Sequence, residues 1–166
     1  IGSDSWGAEV EIIAAILAVF GAFGLEGVKV HLNDRRLVDQ ALSAAGVPEE
    51  KRGHACVIID KLDKIGRDAV IAELIASVGQ AAADALIKTL LADNGTATEP
   101  LDKIIAAVKA LVPASSILVD SSLMRGMGYY TGPVFEFRQP SLSGSPGGGG
   151  RYDKLTAKFG GPPMPA

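Results

Sequence analysis

Glycine and proline are spread very unevenly along this chain, and that asymmetry limits its fold more than any other feature. Of 166 residues, 20 are Gly and 9 are Pro. They crowd between Gly126 and Ala166, whereas residues 67–92 contain only Gly79. A segment dense in Gly and Pro cannot sustain long helices, because Gly adds backbone entropy and Pro removes a donor. A segment nearly free of both has few places to turn. The chain therefore predicts a helical middle and a turn-rich, strand-like end.

Hydrophobic spacing refines this picture. Ile13, Ile16, Leu17, Phe20 and Phe23 form one stripe of a helix over residues 8–23, and Gly24 is a stop signal. Val28 to Leu32 alternates as a half-buried strand does, which places His31 on the solvent side. Asn33 or Asp34 can cap a helix carrying Leu37, Val38, Ala41 and Leu42, which ends at Gly46. Next come Ile58, Leu62 and Ile65 at helical spacing, with Asp60 one turn from Lys64. Val70 to Val78 and Leu86 to Leu91 define two further helices, and Asp93-Asn94-Gly95 breaks the second. Leu101 to Leu111 is a last long helix ended by Pro113, before an extended Ser116–Asp120. From Tyr129 onward the pattern is one of antiparallel strands, with Tyr152–Phe159 as a short closing helix. The expected division is core over 1–46, a helical insertion over 47–98, and core again over 99–166.

Several function classes can be set aside. Sixteen Lys+Arg against nineteen Asp+Glu leave a net charge of −3, so overall charge does not mark a polyanion binder. The apolar run Ile12–Leu25 is shorter than the ~20 residues that span a bilayer, and its acidic flank Glu9/Glu11 does not suit a signal peptide. Cys56 is the only cysteine; it fits a reducing compartment and reads as a small core residue. With His54 two residues away on a helix, it does not build a zinc site, and no metal ligand set is expected. Ile1 in place of Met, and an ending within Gly160–Ala166, resemble cuts in a longer protein.

Two segments could carry chemistry. In Arg125-Gly126-Met127-Gly128-Tyr129-Tyr130 the glycines let a ligand approach an arginine whose guanidinium suits carboxylate or phosphate. If the segment is extended, Tyr129 and Tyr130 point to opposite faces, and Glu136 lies opposite Phe135 and Phe137 on a wet or ligand-facing side. An aromatic strand with a stray charge is the plainer alternative. Gly147-Gly148-Gly149-Gly150-Arg151-Tyr152-Asp153 either lets backbone lie flat against a ligand or is a flexible loop. It lacks the Lys-Ser/Thr ending of a phosphate-binding P-loop.

Taken together, Arg-Gly-x-x-Tyr-Tyr-Thr-Gly-x-x-Phe-Glu and Gly-Gly-Gly-Arg-Tyr-Asp resemble the two signature motifs of histidyl-tRNA synthetases, which are class II aminoacyl-tRNA ligases. The resemblance extends along the whole chain in order, with Ile1-Gly2 as the end of a core strand. It implies an α+β fold: part of a class II antiparallel-sheet catalytic core with an inserted helical lobe. It also implies roles for particular residues. Arg125 matches the catalytic arginine that stabilises charge at the α-phosphate. Tyr129, Tyr130 and Tyr152 match the wall of the histidine and adenylate site, with Gly126, Glu136, Gly148, Gly149 and Gly150 as further substrate-binding positions. Gly128 stands where many members carry Asp. The implied partners are L-histidine, ATP with Mg²⁺ and tRNA(His), in a cytoplasmic homodimer. The lobe would lie against the acceptor stem through Lys51, Arg52, Lys61, Lys64, Arg67 and Lys88. The three general class II motifs do not occur in the chain, so the segment alone is expected to be inactive and to hold no ATP or Mg²⁺ tightly. The alternative is a non-catalytic histidine-sensing paralogue, a regulatory subunit of ATP phosphoribosyltransferase.

Overall fold

The computed structural model describes residues 1–91, 98–124 and 129–166. Arg125, Gly126 and Gly128, together with the Asp93–Gly95 break, lie outside the described residues.

Helix α1 (Gly7–Ala22) leads through Gly24, whose φ is +68°, to strand β1 (Lys29–Asp34). Asp34 caps α2 (Arg35–Ala44) by accepting the Arg36 N–H at 2.9 Å, as Asp at this position should. Then follow α3 (Glu49–Ile59), α4 (Leu62–Ile65), α5 (Arg67–Val78), α6 (Gln80–Leu90) and α7 (Glu99–Leu111). Gly66 and Gly79 join α4, α5 and α6 at φ of +81° and +87°, a region that side chains with a Cβ avoid. Because α3 ends at Ile59 and Asp60 caps it, Asp60 and Lys64 do not share a helix face. One ion pair formed nearby is Lys61–Glu73, at 2.7 Å.

Strands β2 (Ser116–Val119), β3 (Pro133–Arg138) and β4 (Gly147–Gly150) complete a sheet of order β2-β1-β3-β4. Two of its three pairings are antiparallel; β2 runs parallel to β1. A parallel partner needs a long crossover, and helices α2 to α7 supply it. Residues 1–4 form no regular strand, and Gly2 donates to the Pro165 carbonyl at 2.7 Å. The closing helix is a single 3₁₀ turn over Thr156–Phe159.

Alternation along the strands sorts the sheet into two faces. Val30, Leu32, Phe135 and Phe137 pack with Val10 and Ile13 of α1 and Leu101, Ile104 and Val108 of α7. Burying each large side chain of this kind contributes roughly 1.5–3 kcal/mol. A second apolar cluster joins Val38 and Leu42 of α2 with Ile58, Ile59, Val70, Leu74 and Leu86 of the following helices, and Met124 inserts into it. Cys56 belongs to this cluster at 5% exposure. Among the described residues no helix is long and apolar enough to cross a membrane.

Candidate functional site

Helices α1 and α7 cover one face of the sheet; polar side chains occupy the other. In register, His31 lies opposite Glu136 and Lys29 opposite Arg138. This parity follows from the two-residue repeat of a strand. His31, however, is not solvated. Its side chain is only 15% exposed, and Nδ1 donates to Asp120 Oδ2 at 2.8 Å. Asp120 also accepts from the Ser122 hydroxyl at 2.6 Å, and Arg138 Nη1 lies 3.9 Å away. Burial acts to raise the Asp120 carboxyl, but the hydrogen bonds from His31 and Ser122 and the nearby positive charge outweigh it and hold it down to about 2. A lone histidine alternating with apolar residues carries no sign of such a partner 89 positions away.

Glu136 is 12% exposed in its side chain, with Arg138 Nε 3.4 Å from its Oε1. It borders a hollow shared with Tyr129, Ser122 and Met124. This matches the expectation that Glu136 lies across the strand from buried Phe135 and Phe137.

Tyr129 and Tyr130 depart from expectation. Their ring centroids are 4.4 Å apart, so they share a side instead of pointing to opposite faces. The reason is local: Tyr129 lies in a turn, and β3 starts only at Pro133, so strand alternation does not govern the pair. Tyr152 comes within 6.3 Å of Tyr130, centroid to centroid. The three tyrosines thus form one cluster. Tyr129 and Tyr130 also line a second hollow with Arg36, Asp153, Lys154 and Lys158.

The two motif segments are fastened to each other. Thr131 N–H donates to Arg151 O at 2.7 Å, and Arg151 N–H to Pro133 O at 2.8 Å. Asp153 N–H donates to Thr131 Oγ1, whose hydroxyl donates to Asp153 Oδ2, both at 3.1 Å. Arg151 itself faces inward. Its Nε and Nη2 donate to the two oxygens of Glu9 at 2.6 and 3.0 Å. Its other donors reach Ser3 O, Ser5 O and Asp153. Glu9 is 4% exposed. Its bond raises the Arg151 guanidinium against the opposing effect of burial. Arg151 is therefore a positioning residue that ties α1 to the second motif.

The glycines divide by what they face. A Cβ on Gly149 would sit 2.9 Å from the Phe135 ring, and one on Gly150 would sit 2.8 Å from Pro133 O. Both are needed for β4 to lie close against β3, which is neither a loop nor by itself a ligand contact. Gly148, opposite Glu136, is exposed on the polar face.

Asn33 escaped the sequence reading except as a possible cap. It is 1% exposed, and its amide donates to Ser121 O at 3.3 Å and Leu123 O at 3.1 Å. It thereby positions the segment that enters the first motif. Among the described residues no group of three or more His, Cys, Asp or Glu side chains converges as a metal site.

Comparison with known proteins agrees with this arrangement. A sequence model of the family described as histidyl-tRNA synthetase matches residues 1–166. The histidine–tRNA ligase of Leifsonia xyli subsp. xyli is 36% identical over 189 residues, covering 100% of this chain and 44% of that protein. The crystal structure of histidyl-tRNA synthetase from a Nostoc species superposes with a TM-score of 0.86 at 25% identity, over 98% of this chain and 44% of that one. A Bacillus halodurans structure described as an ATP phosphoribosyltransferase regulatory subunit/histidyl-tRNA synthetase gives 0.78 at 23% identity over 98% of this chain and 47% of that one, a likeness of fold. The chain thus spans under half the length of these relatives. By its match along every residue, and by two motifs folded onto each other, this chain belongs to the histidyl-tRNA synthetase family.

Proposed function

We propose that this chain supplies one wall of the histidine-activating site of a cytoplasmic, homodimeric histidine–tRNA ligase, with 47–98 as its inserted lobe. The family match along all 166 residues carries this reading. The clustering of Tyr129, Tyr130 and Tyr152 beside the fastened motifs supports it.

In the first step a histidine carboxylate oxygen attacks the α-phosphorus of ATP. Pyrophosphate leaves, and histidyl-adenylate forms. Mg²⁺ accompanies ATP as its counter-charge. Arg125 is assigned to the charge that builds on the α-phosphate, by its place in the first motif. The tyrosine hydroxyls present donors and acceptors that can read an imidazole. Gly126 is assigned to the substrate by its place in the first motif, Gly148 leaves the polar sheet face open opposite the Glu136 carboxylate, and Gly149 and Gly150 serve the site by letting β4 lie close on β3. In the second step a ribose hydroxyl of tRNA(His) attacks the histidyl carbonyl and AMP leaves.

Histidine-dependent exchange of labelled pyrophosphate into ATP tests this. The complete ligase containing this chain is expected to catalyse exchange and to lose 10²-fold or more in kcat on Arg125→Gln, the size seen when one such donor is removed. The 166-residue chain by itself is expected to show none. A complete protein that binds histidine without exchange would instead favour a regulatory subunit of ATP phosphoribosyltransferase.

A further inference from the structure

Two of the four residues over 125–128 are glycine. Glycine restricts its own backbone less than any other residue, so the direction of such a stretch is set by its flanks. Both flanks are described, and different parts of the fold hold them.

The entrance is held from β1. Asn33 pairs in register with Val134 and is almost fully buried. Its neighbours leave the side-chain amide one orientation. Ser121 O and Leu123 O, at 3.3 and 3.1 Å, can only accept, and the Asp34 N–H, at 2.8 Å, can only donate. A primary amide has two N–H donors and a carbonyl oxygen, so it satisfies all three neighbours. A carboxylate or a single hydroxyl does not. The backbone adds to the hold: Asp120 N–H donates to Leu32 O at 2.9 Å, and Leu123 N–H to Asp120 O at 3.1 Å. Both amide donors of Asn33 are thus spent on one short segment, whose next residues are Met124 and Arg125.

The exit is held from the second motif. Thr131 directly follows Tyr130. Its N–H donates to Arg151 O at 2.7 Å, and its hydroxyl exchanges hydrogen bonds with Asp153, both at 3.1 Å. Tyr130 comes within 6.3 Å of Tyr152, which lies between those two partners in sequence. One anchor therefore adjoins the arginine and the other adjoins the tyrosines. The two groups act at different moments. A charge that stabilises the transition state must be preset, and a misplacement of about 1 Å can cost ~10²-fold in rate. Side chains that read the bound amino acid act on its binding instead.

We propose that Asn33 and Thr131 are positioning residues that divide the first motif between them. Asn33 sets the arginine and with it kcat; Thr131 sets the tyrosines and with them the KM for histidine. The division rests on the ligase reading above and deepens it.

Histidine-dependent pyrophosphate exchange by the complete ligase containing this chain tests the division. Asn33→Ser keeps one donor, and Asn33→Asp keeps the size with a carboxylate that has none. Each should lower kcat by about tenfold or more and change the histidine KM by less than about threefold, as for a contact made only in the transition state. Thr131→Val, which loses only the hydroxyl, should do the reverse: KM rises by about fivefold or more, and kcat stays within about threefold. An Arg125→Gln background gives the sharpest reading. There Asn33→Ser should change kcat by less than about twofold, because a residue that works through the arginine has nothing left to aim. A merely structural amide would lose the same factor in both backgrounds. That outcome, a KM loss on Asn33→Ser, or a kcat loss on Thr131→Val would overturn the proposal. So would failure of both Asn33 variants to fold by circular dichroism, since the amide would then hold the core and not the motif. Absence of exchange in the unsubstituted protein would sink the ligase reading instead, and histidine affinity by calorimetry then still reads the effect of Thr131→Val.

Discussion

His31 and Asp120 show what one side chain can bring to a sheet face. The imidazole would be ill-placed on a half-buried surface without a partner, and the carboxylate would resist burial without donors. Each resolves the other's problem, and Ser122 adds a second donor to Asp120. The consequence can be measured. The Asp120 carboxyl is lowered to about 2 from an ordinary 3.8. Its contribution is therefore fully present above pH ~4, the unfolded value, and disappears as pH falls through the folded value. At near-neutral pH, Asp120→Asn should cost on the order of 2 kcal/mol of unfolding free energy, from the ~1.4 kcal/mol that each pKa unit represents. Denaturant melts of both proteins should converge between pH 4 and pH 2. A gap that stays constant across that window would show that the carboxylate's charge is not what stabilises the fold.

Elements with strong periodicity were legible from sequence alone. Most helices, and the strands at Lys29–Asp34 and Ser116–Val119, lie close to where spacing and caps put them, because a helix stripe or an alternating strand encodes its own burial; the run through Ile58, Leu62 and Ile65 instead breaks at Asp60 into α3 and α4, and the closing helix shortens to a 3₁₀ turn. Less legible was whatever depends on distant pairing. Nothing local distinguishes Gly147–Gly150 as a strand: glycine has no strand propensity, and the run is extended only because β3 pairs with it. The tyrosine pair follows the same logic: strand alternation would separate the two rings only in an extended segment, and both residues precede the strand. The four glycines are a packing requirement as much as an opening for substrate. Gly150→Ala should destabilise the protein by about 1–3 kcal/mol, the usual range for overpacking, because its Cβ would meet a backbone carbonyl at 2.8 Å. A thermal melt checks this; an unaltered midpoint would mean that β4 can move away from β3 without loss. The mutual order of the two motifs could be read in sequence, but their fastening through Thr131, Arg151 and Asp153 could not.

At the scale of the whole molecule, two apolar clusters define two packed regions, one around the sheet and one among the helices after β1. Met124 enters the helical cluster directly ahead of the first motif, so the lobe's packing bears on the approach to the site. Arg138 also reaches across to Asp63 at 3.0 Å. That pair is a poor candidate for the fastening, since Asp63 is 68% exposed and solvent screens such contacts. Asp63→Asn should therefore shift the unfolding free energy by less than about 1 kcal/mol, as read by denaturant melts. A larger loss would mean that charge, and not the buried methionine and aliphatic side chains, joins lobe to sheet. The clasp between Glu9 and Arg151 has a different consequence, one of timing. Its partners are 142 residues apart, and β1 must await both β2 and β3. On a ribosome, the helices after β1 can close on one another while α1 and β1 still lack their partners, because nearby contacts cost less chain entropy to form. Within these 166 residues the apolar stripe of α1 then waits on α7 and β3, and the second motif, made after the first, is the one that locks α1 into place.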